Sequence, residues 1–173
     1  ANDSSGNWNV TDNQTYLVQN VNPVVTFGTN VSDNNNRSNS SATFEMKVSD
    51  NLGVDYLLLY GNWSGSWAVN QTNSSPFNNT FWNVTVTGIP DGDYIWAAWG
   101  NDTVGNFVFT SANRTFTVDT TTPFVDYGTN VLANNTNISQ NYVTLNASYI
   151  EINPLNITFT IFNTTGIWNT TTY

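Results

Sequence analysis

Residues 88–123 read GIPDGDYIWAAWGNDTVGNFVFTSANRTFTVDTTTP, the stretch with the clearest turn and strand signals in the chain. Its Pro-Asp-Gly sequence at 90–92 favours a tight turn, because proline presets φ, aspartate bonds nearby amides and glycine accepts a positive φ. An uncharged aromatic strand is predicted next, from Tyr94 to Trp99. The segment NDTVGN that follows is typical of a hairpin loop in which Gly105 takes a positive φ. The stretch therefore predicts antiparallel β structure.

Other strands are predicted where apolar and polar side chains alternate, the pattern of a strand with one buried face. No segment has the 3.6-residue period of an amphipathic helix. The predicted strands are Val24–Phe27, Ala42–Val48, Val54–Tyr60, Ser66–Val69, Trp82–Val86, Tyr94–Trp99 and Phe107–Val118, the last with allowance for a bulge. About seven strands in about 100 residues predict an antiparallel β-sandwich.

The sequence repeats with a period of about 100 residues, too long for a solenoid and close to the size of one sandwich domain. The matching segments are 23–31 with 123–131, 1–8 with 100–107, 62–67 with 163–168, 15–18 with 115–118, and Ala42–Val48 with Val143, Leu145 and Ala147. The repeat predicts the C-terminal strands of a preceding, incomplete unit at 1–20, a complete unit at 21–120, and the N-terminal half of a following unit at 121–173.

The segments GIPDGDYIW, GNDTVGN and FTVDTTTP together resemble the tandem immunoglobulin-like repeats of prokaryotic cell-surface glycoproteins, and archaeal ones rich in Asn and Thr look most similar. The resemblance covers essentially the whole chain. It implies an all-β immunoglobulin-like sandwich, and Tyr94, just after the Pro-Asp-Gly turn, sits where the tyrosine corner of such a sandwich would bond the turn backbone. It also implies an extracellular, cell-surface location, and it is compatible with surface layers, stalks and cell adhesion alike.

Composition argues against several classes of function. Only Arg37, Lys47 and Arg114 are basic and the formal net charge is −9, so the chain cannot neutralise the phosphates of a nucleic acid. The chain has no Cys and no His, which removes thiol and imidazole catalysis and the common zinc sites. No run of 18 apolar residues occurs, so we expect no membrane-spanning segment.

The motif with most chemical content is Asn-x-Ser/Thr, the acceptor sequon for N-linked glycans. The 31 Asn residues, each with about a 0.23 chance of Ser or Thr two places later, would give about seven sequons by chance. Sequons within strands alternate with apolar residues, which points their side chains outward. We predict covalent glycans at the nineteen sequons found: Asn2, Asn9, Asn13, Asn30, Asn36, Asn39, Asn62, Asn70, Asn73, Asn78, Asn83, Asn101, Asn113, Asn134, Asn137, Asn146, Asn156, Asn163 and Asn169.

Acidic residues are expected to cluster at loop ends, with Asp102 near Asp119, which raises a weaker expectation of a Ca²⁺ site. Asp102 and Asp119 are the candidates, since tandem sandwich domains bind Ca²⁺ through such carboxylates and nearby carbonyl oxygens. The alternative is that both aspartates cap turns.

Two acidic pairs could be imagined as catalytic carboxylates. Asp91 and Asp93 flank a turn glycine, and Glu45 and Glu151 belong to different units, so neither pair suits glycoside hydrolysis. We expect no catalytic residue and no enzymatic activity.

Seven Trp residues suggest a carbohydrate-binding surface, because flat rings can stack on sugars. Trp82 and Trp96 share strand parity with apolar neighbours and are predicted to be core residues. Trp63, Trp67 and Trp99 are the candidates for ligand stacking, although the recurrence of Trp67 in the repeat favours a packing role.

We therefore predict a non-enzymatic, heavily N-glycosylated extracellular structural protein of tandem immunoglobulin-like domains, in a surface filament, sheath or stalk. The alternative is an adhesin or carbohydrate-binding module that uses exposed Trp residues. Predicted partners are copies of the chain or neighbouring repeats, because residues 1–20 and 121–173 cannot each bury an apolar face alone. Two explanations stay open: the chain is one part of a longer repeat protein, or strands of one subunit complete the half-unit of the next.

Overall fold

The computed structural model describes residues 1–16, 18–129 and 131–173, which form β-strands and no helix, and hence no helix that could cross a membrane. Leu17 and Asn130, which belong to the repeated segments, lie outside the described residues. The strands are β1 (Val24–Phe27), β2 (Asn35–Arg37), β3 (Ser41–Ser49), β4 (Val54–Gly61), β5 (Ala68–Asn73), β6 (Trp82–Thr87), β7 (Gly92–Asp102), β8 (Phe107–Phe109), β9 (Arg114–Val118), β10 (Phe124–Tyr127), β11 (Ala147–Ile150), β12 (Thr158–Asn163) and β13 (Gly166–Thr172).

Strands β1 to β9 form two sheets. The smaller sheet has the order β1-β3-β6 and is antiparallel throughout. The larger sheet has the order β2-β9-β7-β4-β5, and β8 also pairs with β7. Its strand pairs are antiparallel except for β2 and β9, which run parallel.

One hydrophobic core lies between the two sheets. Alternate residues of β3 from Ala42 to Val48 are fully buried, as their alternation predicts. Phe44 stacks on Trp63 with 5.0 Å between ring centroids, and meets Trp96 of β7 and Phe116 of β9 edge-on at 4.9 and 5.6 Å. One side chain of the smaller sheet thus contacts three rings on the opposite side of the core. The predicted antiparallel β-sandwich is confirmed.

Two strand predictions differ from the structure, and one strand, β2, was not predicted. The predicted strand Phe107–Val118 is two strands, β8 and β9, because the chain bends between them at residues 111 and 112. Strand β5 begins at Ala68 and extends beyond the predicted end, since Gln71 and Thr72 pair with β4. The sequence of β2 has no alternation of apolar and polar residues, so it could not be predicted. These residues form a strand because they pair in parallel with β9.

Residues 121–173 form two separate two-stranded ladders, β10–β11 and β12–β13. In the repeat these correspond to the pairs β1–β3 and β4–β5. Val143 and Leu145, predicted as strand residues, lie outside β11. The reason is the number of neighbours: β3 pairs with both β1 and β6, whereas β11 pairs with β10 alone.

One hydrogen-bonded turn recurs at the interval of the sequence repeat. The Asp102 carboxylate accepts bonds from the N–H groups two and four residues later, at 3.0 and 2.9 Å, and from the Asn106 amide at 2.7 Å. Asp3 accepts the same three bonds at 2.9, 2.9 and 2.8 Å, the last from the Asn7 amide. The division at 1–20, 21–120 and 121–173 stays a prediction, and this turn agrees with it.

Candidate glycosylation sites

None of the nineteen sequon asparagines, all of which lie in the part of the chain that the structure describes, is buried. Four are half-buried: Asn62, Asn70, Asn73 and Asn101. The others are exposed: Asn2, Asn9, Asn13, Asn30, Asn36, Asn39, Asn78, Asn83, Asn113, Asn134, Asn137, Asn146, Asn156, Asn163 and Asn169. An oligosaccharide attached at any exposed site would extend into solvent without displacing the core.

Three of the five edge strands of the complete unit carry sequons. Strand β5 contains Asn70 and Asn73, β2 contains Asn36, and β6 contains Asn83. Edge strands present unpaired N–H and C=O groups that can pair with another chain. The other two edge strands, β1 and β8, have no sequon and are only four and three residues long. Glycans on these edges would hinder unwanted strand pairing.

Two half-buried sequon side chains are fixed by the backbone of the β4–β7 ladder. Asn101 Oδ1 accepts a hydrogen bond from the Tyr56 N–H at 2.9 Å, at a bulge in β4. Asn62 Oδ1 accepts one from the Ile95 N–H, also at 2.9 Å, just beyond the end of β4. Each carboxamide therefore has one orientation before any sugar is attached.

Other sequon asparagines make long-range hydrogen bonds that no sequence motif predicts. Asn78 accepts a bond from the Asp50 N–H at 3.0 Å and donates to the Asp50 carbonyl at 2.6 Å. The Asn30 amide donates to Asn83 Oδ1 at 3.0 Å. Such pairs depend on which strands become neighbours, and sequon spacing does not contain that information.

The tryptophan candidates for ligand stacking lie in different environments. Trp63 is only 8% exposed and stacks on Phe44, so the prediction of a stacking role for it is wrong: it belongs to the core. Trp67 is 40% exposed and Trp99 is half-buried. Trp96 is fully buried, as predicted.

Further rings join Trp67 and Trp99 on the outer face of the larger sheet. We define the aromatic surface as Tyr60, Trp67, Trp99, Phe107 and Phe109. The Tyr60 ring centroid lies 5.8 Å from that of Trp67 and 5.0 Å from that of Phe109, and the centroids of Trp99 and Phe107 are 5.8 Å apart. Ala97 pairs with Tyr60 and is fully buried, so large neighbours cover even the outer side of β7 there.

The two Ca²⁺ candidates do not lie together. Asp102 ends β7, whereas Asp119 follows Val118, which pairs with Gly92 at the opposite end of β7. Both carboxylates accept bonds from nearby backbone N–H groups, as turn-capping aspartates do. Residues 1–16, 18–129 and 131–173 contain no group of three or more His, Cys, Asp or Glu that could hold a metal ion. The expected proximity of Asp102 and Asp119 is therefore wrong.

The acidic pairs make ordinary structural hydrogen bonds. Asp91 accepts bonds from residues 120 and 121, and Asp93 accepts one from the Thr117 hydroxyl at 2.6 Å. Glu45 accepts a bond from the Thr29 N–H at 2.7 Å. Glu151 accepts bonds from the N–H groups of the next two residues, 152 and 153.

Several carboxylates are held in the ionised form. Burial opposes ionisation of Asp102, but hydrogen bonds from residues 104–106 outweigh it and lower the pKa of that carboxyl. Hydrogen bonds from Thr115 lower the pKa of Asp33. Those from Thr120 lower the pKa of Asp91.

We expect the complete unit to lose stability in acid. Because these pKa values are lower in the folded than in the unfolded chain, the stabilisation is present above about pH 4 and is lost as pH falls through the folded values. The Tm, followed by circular dichroism, should change little between about pH 7 and about pH 5 and fall below about pH 4. Asp102→Asn should reduce that fall, since asparagine does not titrate. A Tm that stays constant down to about pH 2 would contradict the expectation.

The strand order and one turn define the class of the fold. Two packed sheets have the orders β1-β3-β6 and β2-β9-β7-β4-β5. The Tyr94 hydroxyl donates to the Pro90 carbonyl at 3.0 Å, which is the predicted tyrosine corner. Burial, followed by the nearby Asp91 and Asp93, raises the pKa of Tyr94 and keeps this donor protonated. The complete unit is an immunoglobulin-like β-sandwich.

No protein-family model and no curated protein matches this chain. The crystal structure of an engineered protein is similar at 16% identity and a TM-score of 0.38, over 56% of this chain and 20% of that one. The PKD domain of an M14-like peptidase from a Thermoplasmatales archaeon is similar at 18% identity and a TM-score of 0.36, over 56% of this chain and 91% of that one. This chain thus spans a small part of the engineered protein and nearly all of the PKD domain.

Proposed function

We propose that this protein is a non-enzymatic, heavily N-glycosylated structural protein of an archaeal cell surface, built from tandem immunoglobulin-like domains in a filament, sheath or stalk. The observation that carries the proposal is the number of accessible acceptors: nineteen sequons, none of them buried. Only 9% of the residues are charged. Glycans would supply the hydration that charged side chains supply on most soluble domains.

A mechanical role requires rigid connections between neighbouring domains. At each end of the complete unit, side-chain hydrogen bonds hold the connecting segment to a loop of the sandwich, and we call each such connection a joint. After β9, the Asp91 carboxylate accepts bonds from the Thr120 N–H at 3.0 Å, the Thr120 hydroxyl at 2.8 Å and the Thr121 hydroxyl at 3.0 Å. Before β1, the Gln19 amide donates to Asn51 Oδ1 at 2.6 Å. These two joints lie at opposite ends of the sandwich, which suits an end-to-end array with limited bending.

A cleft in residues 121–173 supports the proposal that the partner is a neighbouring repeat or another copy of the chain. The cleft has a volume of about 610 Å³ and lies between the ladders β10–β11 and β12–β13, with Val125, Leu145, Phe159 and Ile161 among its lining residues. In the complete unit, β6 pairs with β3 and β7 pairs with β4, on either side of the matching core. Strands equivalent to β6 and β7 would cover this cleft by strand addition.

Glycopeptide mass spectrometry on protein from the native source tests the proposal. We expect hexose-containing modifications at most of the exposed sequons, and peptides from repeats that continue the pattern of this chain. Native protein without glycan at any sequon would overturn the proposal.

The aromatic surface favours a second candidate, an adhesin or carbohydrate-binding module. Trp67 and Phe109 are 40% and 42% exposed on one sheet face. Protein made without glycans would then bind oligosaccharides in calorimetric titrations, and Trp67→Ala would abolish the binding. No oligosaccharide binding by unglycosylated protein would remove this candidate.

A further inference from the structure

The aromatic surface and the Asn101 sequon share one face of the larger sheet. Asn101 follows Trp99 by two positions in β7, and the residue between them, Gly100, is buried. Alternate residues of a strand lie on the same face, so Asn101 and Trp99 both face outward. Phe107 is the direct cross-strand partner of Asn101. Asn101 therefore shares this sheet face with the Trp99 and Phe107 rings. Its carboxamide is held on the β4 side of β7, where Oδ1 accepts from the Tyr56 N–H and Nδ2 donates to Asp55 at 3.4 Å.

A second sequon has the same local arrangement at the other end of the β4–β7 ladder. The sequences Tyr60-Gly61-Asn62 and Trp99-Gly100-Asn101 both have an aromatic residue, a glycine and a sequon asparagine. Both glycines are tightly enclosed, because a Cβ on the first would overlap the Trp63 ring and a Cβ on the second would press on the Val48 side chain. In both cases a backbone N–H across the ladder fixes the asparagine oxygen.

We propose that the aromatic surface is the docking surface for the protein's own N-linked glycans, with the first sugar on Asn101 lying on Trp99 and Phe107 and that on Asn62 lying against Tyr60. The inference rests on the proposed function, because it requires these sequons to be glycosylated. Cross-strand neighbours are about 5 Å apart and alternate residues of a strand about 7 Å apart, so both rings lie within reach of the first sugars.

The physical reason is the exposed apolar area. Phe107 is 60% exposed, and a contiguous apolar patch of this kind favours association unless something covers it. The C–H face of a hexose can pack on an aromatic ring and remove part of that area from water. Because the Asn101 oxygen is already fixed, ordering the first sugar costs less conformational entropy than on a free side chain.

A double-mutant cycle on the glycosylated protein tests the inference. Thr103→Ala removes the Asn101 sequon but keeps Asn101 and its hydrogen bond to Tyr56. We expect it to lower the Tm by about 3–5 °C, the size of one aromatic contact in a domain of about 100 residues. In a Trp99→Thr background the same change should shift the Tm by less than about 1 °C. Phe107→Thr, at a more exposed ring, provides a second background should Trp99→Thr fail to fold.

Two controls separate the glycan from the side chains. Ser38→Ala removes the sequon of Asn36, which has Asn34 rather than an aromatic residue two positions earlier, and should shift the Tm equally in both backgrounds. In protein made without glycans, Thr103→Ala should leave the Tm unchanged within about 1 °C.

Mass spectrometry on the same samples distinguishes the failure of this inference from that of the proposed function. If Asn101 and Asn62 are bare while other sequons carry glycan, the inference is overturned and the proposed function stands. If no sequon carries glycan, both are overturned. If Asn101 is occupied and Thr103→Ala lowers the Tm equally with and without Trp99, the inference alone is overturned.

Discussion

Replacing Phe44 by alanine should lower the free energy of unfolding of the complete unit by about 3–5 kcal/mol. Phe44 is fully buried and contacts Trp63, Trp96 and Phe116. Its removal leaves a cavity between large rings, and strand pairing on β7 and β9 prevents those rings from closing the gap. Urea denaturation followed by tryptophan fluorescence would measure the loss, because two of the neighbouring rings are indoles.

The size of this effect is large relative to the stability of a domain of this length, typically about 5–15 kcal/mol. Phe44→Leu keeps most of the volume and should cost clearly less than the alanine variant. Phe77→Ala is the matched control, since Phe77 is 80% exposed and its loss should change stability by no more than about 0.5 kcal/mol. Equal stability of Phe44→Ala and Phe77→Ala would show that Phe44 is not at the centre of the core.

Much of the fold could be predicted because alternation directly reports which side chains face the core. The buried positions of β3 and the core position of Trp96 follow from parity, and the tyrosine corner follows from the Pro-Asp-Gly turn before Tyr94. Strand β2 could not be predicted, because its sequence Asn35–Arg37 has no pattern and only pairing with β9 defines it. The burial of Trp63 could not be predicted because this residue lies in a loop, where side chains do not alternate between two faces as they do in a strand.

The candidate site likewise has a part that the sequence predicts and a part that it does not. Sequons are local motifs, so every candidate acceptor could be named from the sequence. The aromatic surface joins rings from β4, β7 and β8 with Trp67, and no local motif shows that these become neighbours. The expected proximity of Asp102 and Asp119 failed for a related reason. The two residues are close in sequence, but Asp102 ends β7 and Asp119 follows Val118, which pairs with Gly92 at the start of β7.

Arg114→Ala should lower the free energy of unfolding by about 2–4 kcal/mol, the second large effect we expect. Its Nη1 donates to the carbonyl oxygens of Gly28 at 2.7 Å and Val31 at 3.1 Å. Its guanidinium carbon lies 4.3 Å from the ring centroid of Phe27. Arg114 begins β9 in the larger sheet, whereas residues 27–31 end β1 and leave the smaller sheet, so this side chain ties the two sheets together.

Chemical denaturation of three variants would show that position and geometry matter here, and not charge alone. Arg114→Lys keeps the charge but cannot reproduce the planar donor group, so it should recover only part of the loss. Lys47→Ala removes another positively charged side chain, whose Nζ donates to Asn79 at 2.8 Å at an exposed site. This change should lower the free energy of unfolding by no more than about 1 kcal/mol. Arg114→Ala also leaves the Asn113 sequon intact. Equal losses for Arg114→Ala and Lys47→Ala would contradict a specific tie between the sheets.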